Sequence, residues 1–287
     1  MRRCYRTTKF TAKTLDVLHL ADDIITDYQA QGYELTLRQL YYQFVARDLI
    51  PNTAQSYNKL GTIINKGRLA GMLDWASIVD RTRTCEIMPT WDSAAQILQS
   101  AEDAFKLNKW NAQPTQVEVW VEKEALAQVV QRAADEFDMP WFCCRGYPSQ
   151  SSIYEAAQRH IQYGKPVIVL HLGDHDPSGI DMTRDLQDRL HMFEADTQVK
   201  RIALNMEQVD AYSPPPNPAK ITDSRAAMYI ARFGAESWEL DALDPAVLHA
   251  LIMEEASQHI DSTLWARVVD LQEAQRDVIC RAKEEIQ

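Results

Sequence analysis

Apolar residues recur at helical spacing through the front of the chain. Residues ~11–30 place Leu15, Leu18, Ile24 and Ile25 on one stripe, and Gly32 stops it. Thr36 reads as an N-cap for a helix over ~37–48. Pro51 breaks that helix, and Asn52 or Thr53 caps the next, ~54–70, with Gly67 as a weak point. Asp74 to Arg83, DWASIVDRTR, is short and mixed and reads as a small β-wing; ~92–107 reads as another helix. Three short helices followed by a wing give the outline of a winged helix-turn-helix.

The period changes at Pro114. TQVEVWVEKEAL alternates and then turns helical, giving a strand at ~116–121 and a helix from ~124. A second strand lies within MPWFCCRGYPS (139–149), followed by a helix at ~151–163. KPVIVLHLGDHDPSG (165–179) holds a continuous apolar run ending in acids, the signature of a strand buried on both faces. A helix at ~178–193 leads to a fourth strand around QVKRIAL. Strand and helix alternating in this way predict a parallel α/β sheet. SPPPNP (213–218) reads as a stiff connector, and helices follow at ~223–233, ~245–258 and ~262–286. The expected fold class is therefore α/β with an α-rich N-terminal part. The expected divisions are a DNA-binding unit over 1–90, a linker helix over 91–113, an α/β unit over 114–212 and a helical extension over 213–287.

Composition narrows the class. The 287 residues are 46 % hydrophobic and 25 % charged, which suits a globular chain of about two domains. No apolar run is long enough for a transmembrane helix, so no membrane partner is expected. The basic start, MRRCYRTTKF, has no apolar stretch behind it and does not read as a signal peptide. Five scattered cysteines without a C-x-x-C pair read as reduced thiols in a cytoplasmic setting. The net charge of −11 is unevenly placed. Residues 1–113 hold 14 Lys and Arg against 12 Asp and Glu, and the remainder holds 16 against 29. A mildly basic front before a carboxylate-rich back fits a DNA-touching module beside an acidic one; chance unevenness is the plainer alternative.

Two expected strands end in acid: Glu122 closes the first, and Asp174 and Asp176 close the third. Ligands of doubly wound sheets sit at the carboxyl ends of strands. If these strands are neighbours, three carboxylates converge and need a cation between them. Hard oxygen ligands favour Mg²⁺ or Mn²⁺, the usual equipment for phosphoryl transfer. The competing expectation is that such acids cap helices, as Glu124 would. His171 reads as a strand side chain and His175 as a neighbour of the site or solvent-facing. One thiol of Cys143–Cys144 reads as core.

VEKEAL, GYP and GDHDPSGI, in this order and spacing, resemble a Toprim domain. The variety it resembles is that of the A subunit of type IIB topoisomerases (topoisomerase VI) and their meiotic double-strand-break relatives, which carry V-E-K-E-A, G-x-P and D-x-D-P-x-G. The resemblance spans roughly residues 33–250 and implies Glu122, Asp174 and Asp176 as metal ligands. That family also carries R-x-x-Y-Y on a winged helix, and TLRQLYYQF (36–44) matches it. WELDAL (238–243) resembles a segment after the family's core, where Glu239 would assist or cap a helix. The chain lacks a nucleotide-binding G-x-x-x-x-G-K-[ST] motif, so strand passage would need a separate ATPase subunit. Plasmid-defence nucleases of the Wadjet type share the domain logic and suggest a defence-system partner instead.

The candidate tyrosine can be read from helical geometry alone. Leu37, Leu40, Tyr41, Phe44 and Val45 form one apolar stripe, which makes Tyr41 a core residue. Tyr42 falls on the flank, four residues after Arg38, where a phenol can face outward beside a guanidinium. A phenol ionises near pH ~10 and attacks poorly at neutral pH without help. A boundary aromatic beside a surface charge is the alternative. Gln55, Lys59, Thr62 and Lys66 share one face of the following helix, and Arg68, Arg81 and Arg83 follow; all suit phosphate contacts. The resemblance implies a transesterase in which Tyr42 forms a 5′-phosphotyrosyl link, helped by Arg38 and Lys123. It also implies a homodimer, because the tyrosine of one subunit meets the metal site of the other. A hydrolytic nuclease using the same acids and a non-catalytic DNA-binding protein are the other two readings.

Overall fold

The computed structural model describes residues 2–78 and 88–284. Its centre is a four-stranded, wholly parallel sheet of β1 (Gln116–Val121), β2 (Trp141–Cys143), β3 (Val167–Leu172) and β4 (Thr197–Ala203), in the order β2-β1-β3-β4. The protein is thus α/β, as the alternating pattern predicts. The period-2 rule sorts the two faces. Val117, Val119 and Val121 of β1 and Ile168, Leu170 and Leu172 of β3 point into one core, under α5 (Ala127–Glu136) and α10 (Pro245–Ser257). Trp120, Val167 and Val169 point the other way, under α6 (Gln150–Tyr163) and α7 (Pro177–Met192). Burying each such Val or Leu contributes roughly 1.5–3 kcal/mol.

A third core is built by α1 (Ala12–Ala30), α2 (Leu37–Ala46) and α3 (Ala54–Leu69). Thr36 caps α2 in a reciprocal box with Gln39, and Thr53 caps α3. Leu40, Tyr41, Phe44 and Val45 are buried as the stripe predicts, against Leu18, Ile24 and Ile64. Of the expected wing, Trp75–Ser77 forms one 3-10 turn and Ile78 bridges to Leu35; the rest lies outside the described residues. Within the expected linker, α4 (Ala94–Ala104) forms and lies against α11 (Ser262–Glu284).

Two features depart from the sequence expectation. A short helix, α8 (Met206–Tyr212), follows β4 where none was expected. The Pro-rich connector contains β5 (Asn217–Pro218), which pairs antiparallel with β6 (Glu236–Ser237) across α9 (Ala226–Phe233). That pairing matters for position. It brings residues 238–242 back over the carboxyl end of the sheet, where His175 and Trp238 exchange backbone hydrogen bonds of 2.9 Å in both directions.

Candidate functional site

The strand order makes β1 and β3 neighbours at the point where the chain's winding reverses. In open α/β sheets that point is where ligands bind. Val121 is in register with Leu172, so Glu122 and Gly173 leave the sheet side by side. The Glu122 carboxylate accepts the Asp174 amide at 2.9 Å, tying the first strand's acid to the loop after the third. Asp176 is the N-cap of α7; its Oδ1 accepts the Gly179 amide at 2.6 Å, with Pro177 opening the helix. Gly179 is required there, because a Cβ would fall 2.2 Å from the Asp174 carbonyl oxygen.

Asp174, Glu239 and Asp241 bring carboxylate oxygens within 4.8 Å of one another, the arrangement among the described residues that could hold a metal ion. Asp174 is the sole member shared with the set expected from sequence; Glu122 braces its loop and Asp176 caps α7. Three hard oxygen donors, one from the loop after β3 and two from the 239–241 turn, suit Mg²⁺ or Mn²⁺. In the structure the Lys123 ammonium reaches all three, at 2.8 Å from Asp174 and 2.9 Å from Asp241, and also bonds Glu239. Arg38 of α2 adds a second cation, with Nε 2.8 Å from Asp241 and Nη2 2.8 Å from Glu239. The Asp241 side chain is wholly buried.

These charges set the local proton affinities. Burial works against the Lys123 ammonium, but Asp241, Asp174 and Glu239 outweigh it and hold its pKa above the usual lysine range. Burial pushes the Asp174 carboxyl up to about 7; Lys123 opposes this, while Glu122 and Glu239 add to it. Burial also raises Glu122, with the Asp176 charge contributing. Glu239 goes the other way, because Lys123 and Arg38 outweigh its burial. Glu239 sits at the N-cap of the 3-10 turn Leu240–Ala242, but its carboxylate makes no capping bond and goes to the two cations instead.

Tyr42 does not face outward. It is 3 % exposed, because the turn Leu240–Ala242 lies against α2. The Arg38 guanidinium donates to its hydroxyl at 3.4 Å and lies 5.6 Å from its ring centre. Burial pushes the phenol up to about 12, with Asp241 and Glu239 adding to the shift and Arg38 and Lys123 opposing it. Tyr42 nonetheless lines a cleft of about 330 Å³ together with Asp174, Asp176, Lys220, Trp238 and Glu239. Tyr41 is core, with its hydroxyl donated to Asn52 at 2.9 Å.

Gln55, Lys59, Thr62 and Lys66 are exposed along α3, on the face helical spacing assigns them. Arg68 is not free on that surface: it donates to the Trp75 carbonyl at 2.6 Å and stacks 4.6 Å from that ring. Arg81 and Arg83 lie outside the described residues. His171 is buried in the sheet, bonded to Thr183 at 2.9 Å, and burial pulls its pKa down to about 3. His175 is buried rather than solvent-facing, 2.7 Å from the Tyr229 hydroxyl and flanked by Phe233 and Trp238. Cys144 is the core thiol of its pair.

Sequence reasoning missed Asp241 and Arg201. Asp241 stands in WELDAL and has no strand before it to mark it. Arg201 leaves β4 and directs its guanidinium at main-chain carbonyls of the acidic loop: Gly173 at 2.8 Å, Asp174 at 2.5 Å and Gly179 at 2.9 Å. Burial lowers its pKa to about 10, opposed by the Glu122, Asp174 and Asp176 charges. The signal available was the Lys200–Arg201 pair inside an otherwise β-like run. No family profile and no curated protein matches the chain.

Proposed function

We propose that the protein is a metal-dependent DNA-cleaving enzyme, a transesterase similar to the topoisomerase VI A subunit, with Tyr42 as its nucleophile. The observation that carries the reading is that Tyr42, with Arg38 at its hydroxyl, lines the same cleft as Asp174, Asp176 and Glu239. In this reading α1–α3 are the helices of the winged-helix unit, and the parallel sheet with its acidic switch point is the Toprim unit. The Tyr42 oxygen attacks a backbone phosphorus and loses its proton to solvent. The P–O3′ bond breaks, the 3′ oxygen takes up a proton, and the phosphorus stays joined to tyrosine as a 5′-phosphotyrosyl ester. Asp174, Glu239 and Asp241 hold Mg²⁺ or Mn²⁺, which stabilises charge on the phosphate and on the leaving oxygen when bound. Glu122 and Arg201 keep the Asp174 loop in place. Arg38 is positioned to neutralise charge developing near the phenol. The exposed face of α3, with Lys59 and Lys66, supplies phosphate contacts. Because Tyr42 and the acids of one chain share a cleft, each cut would use a single chain's site rather than the site shared between subunits that the resemblance implies; a second copy would make the second cut of a double-strand break, and an ATPase or defence-system partner would act on that assembly.

The test is cleavage of end-labelled supercoiled and linear DNA with Mg²⁺ or Mn²⁺, quenched in denaturant and run with and without protease. Label held to protein through a 5′ end, and lost in both Tyr42→Phe and Asp174→Asn, is the expected result. One observation favours a second reading. The buried phenol, pushed up to about 12, is a poor nucleophile as it stands, which suits a hydrolase that uses water on the same acids. Free 5′-phosphate ends retained in Tyr42→Phe and lost in Asp174→Asn would establish that alternative. Retention of DNA with no cleavage in any protein would leave a binding protein.

A further inference from the structure

We infer that Lys123 and Arg38 are internal counter-ions standing in for the divalent cation, and that the ion binds only by exchange with them. The inference rests on the metal reading proposed above. It comes from the occupancy of the three-carboxylate group. One ammonium reaches Asp174, Asp241 and Glu239 together, and one guanidinium bonds the two acids of the 239–241 turn. Both cations bond Glu239 through the same oxygen, Oε2. The three acids are therefore nearly neutralised by the chain itself. A divalent ion added on top would be set against an ammonium bonded to the same carboxylates, a like-charge contact in a partly dry cleft.

The two cations differ in what they can do when displaced. Lys123 is largely buried and follows β1, so it must swing out of the cluster on its flexible stem. Arg38 is 46 % exposed and belongs to α2, so its release removes one of the ties between that helix and the 239–241 turn that covers Tyr42. Arg201 does not take part, because its donors go to main-chain carbonyls and the Thr183 hydroxyl, and it stays behind the loop. Loading of the ion thereby loosens the turn that covers the phenol. Without a divalent ion the cleft stays latched, which protects DNA from idle attack.

The experiment is titration calorimetry of the full chain with MnCl₂ at fixed ionic strength, comparing wild type, Lys123→Gln and Arg38→Gln. It is accompanied by hydrogen exchange over residues 37–46. Lys123→Gln is expected to bind Mn²⁺ more tightly than wild type by about tenfold or more, since it removes the competing charge. Arg38→Gln is expected to gain by a smaller factor, because its cation is partly solvated. Mn²⁺ should raise the thermal midpoint of Lys123→Gln more than that of wild type, and should speed amide exchange in α2 of wild type. Equal or weaker binding in Lys123→Gln would overturn the exchange while leaving the metal reading intact. Should that variant not fold, equal affinity in Arg38→Gln and wild type overturns it in the same way. No Mn²⁺ binding in any of the three would overturn both.

Discussion

At the scale of single residues, two buried carboxylates respond to acid in opposite senses. Glu118 is fully buried in the middle of β1, where Arg159 donates to it twice at 2.9 Å, and Trp120 and Tyr163 donate at 3.0 and 3.1 Å. Burial opposes its charge, but His160, 3.3 Å away, and the Arg159 guanidinium outweigh it and hold its pKa at about 2, against 4.5 when unfolded. A depressed folded pKa gives stability that is complete above the unfolded value and is lost as pH falls from 4.5 toward 2. Glu118→Gln should cost about 3 kcal/mol at pH 7 by urea unfolding, since it breaks a buried pair whose Arg159 partner is partly solvated. Asp174 is the reverse case. Its folded pKa, pushed up to about 7 from 3.8, means that the folded state binds the proton more tightly. Stability from that group is complete below pH 3.8 and declines as pH rises through 7. The thermal midpoint of the metal-free protein should therefore show a downward component between pH 4 and 7 that Asp174→Asn removes; identical slopes in the two proteins would refute this assignment.

Among whole elements, the placement of α7 decides the shape of the acidic loop. Its first turn presses against Asp174 at Gly179, with no room for a side chain. Gly179→Ala should therefore destabilise by about 1–3 kcal/mol despite alanine's better helix propensity, and should weaken Mn²⁺ binding as well. Full stability in that variant would show that the turn yields easily. The same element was among the easiest to read, because Asp176, Pro177 and the apolar run before them mark a strand end and a helix start. The four sheet strands were legible for the same reason: Val-rich alternation and a continuous apolar run leave little choice of face. α8 was not, since its seven residues bury a single apolar side chain, Val209, and so carry no stripe. The burial of Tyr42 was not legible either. Helical geometry within α2 correctly put it on the flank of the stripe, but the turn that covers that flank lies about 200 residues along the chain. Asp241 escaped notice for the same reason: its partners, Arg38 and Lys123, are distant in sequence and nothing local announces them.

For the whole molecule, the helical N-terminal core and the sheet meet through polar contacts. Tyr28 donates to Asp244 at 2.6 Å, Asn52 to Asn217 at 2.8 Å, and Arg132 to the Gln31 and Gly32 carbonyls at 3.1 and 2.9 Å. Arg38 joins them at the acids. Ala242 supplies an apolar contact to the N-terminal core. A junction of this kind opens at less cost than a hydrophobic one. Limited proteolysis should accordingly release the N-terminal helices faster from Arg38→Gln than from wild type; equal rates would place the main hold elsewhere. The charge layout makes a second prediction at this scale. If the protein binds DNA as proposed, a net charge of −11 with two lysines on the exposed face of α3 should make its affinity fall with salt along a shallow slope. Lys59→Ala and Lys66→Ala should each reduce that slope by about one.

The ion cluster joins residues 38, 123, 174, 239 and 241, and this has a consequence during synthesis. A ribosome adds about 5–20 residues per second, so roughly 10–40 s separate the appearance of Arg38 from that of Asp241. Through that interval the nascent chain already displays the tyrosine helix, and later the sheet acids, without the turn that latches them together. A chain broken off before residue 239 would keep Tyr42 and Asp174 but lose two of the three clustered carboxylates. Truncation before residue 239 would thus leave Asp174 as the one remaining member of the group that could hold a metal ion.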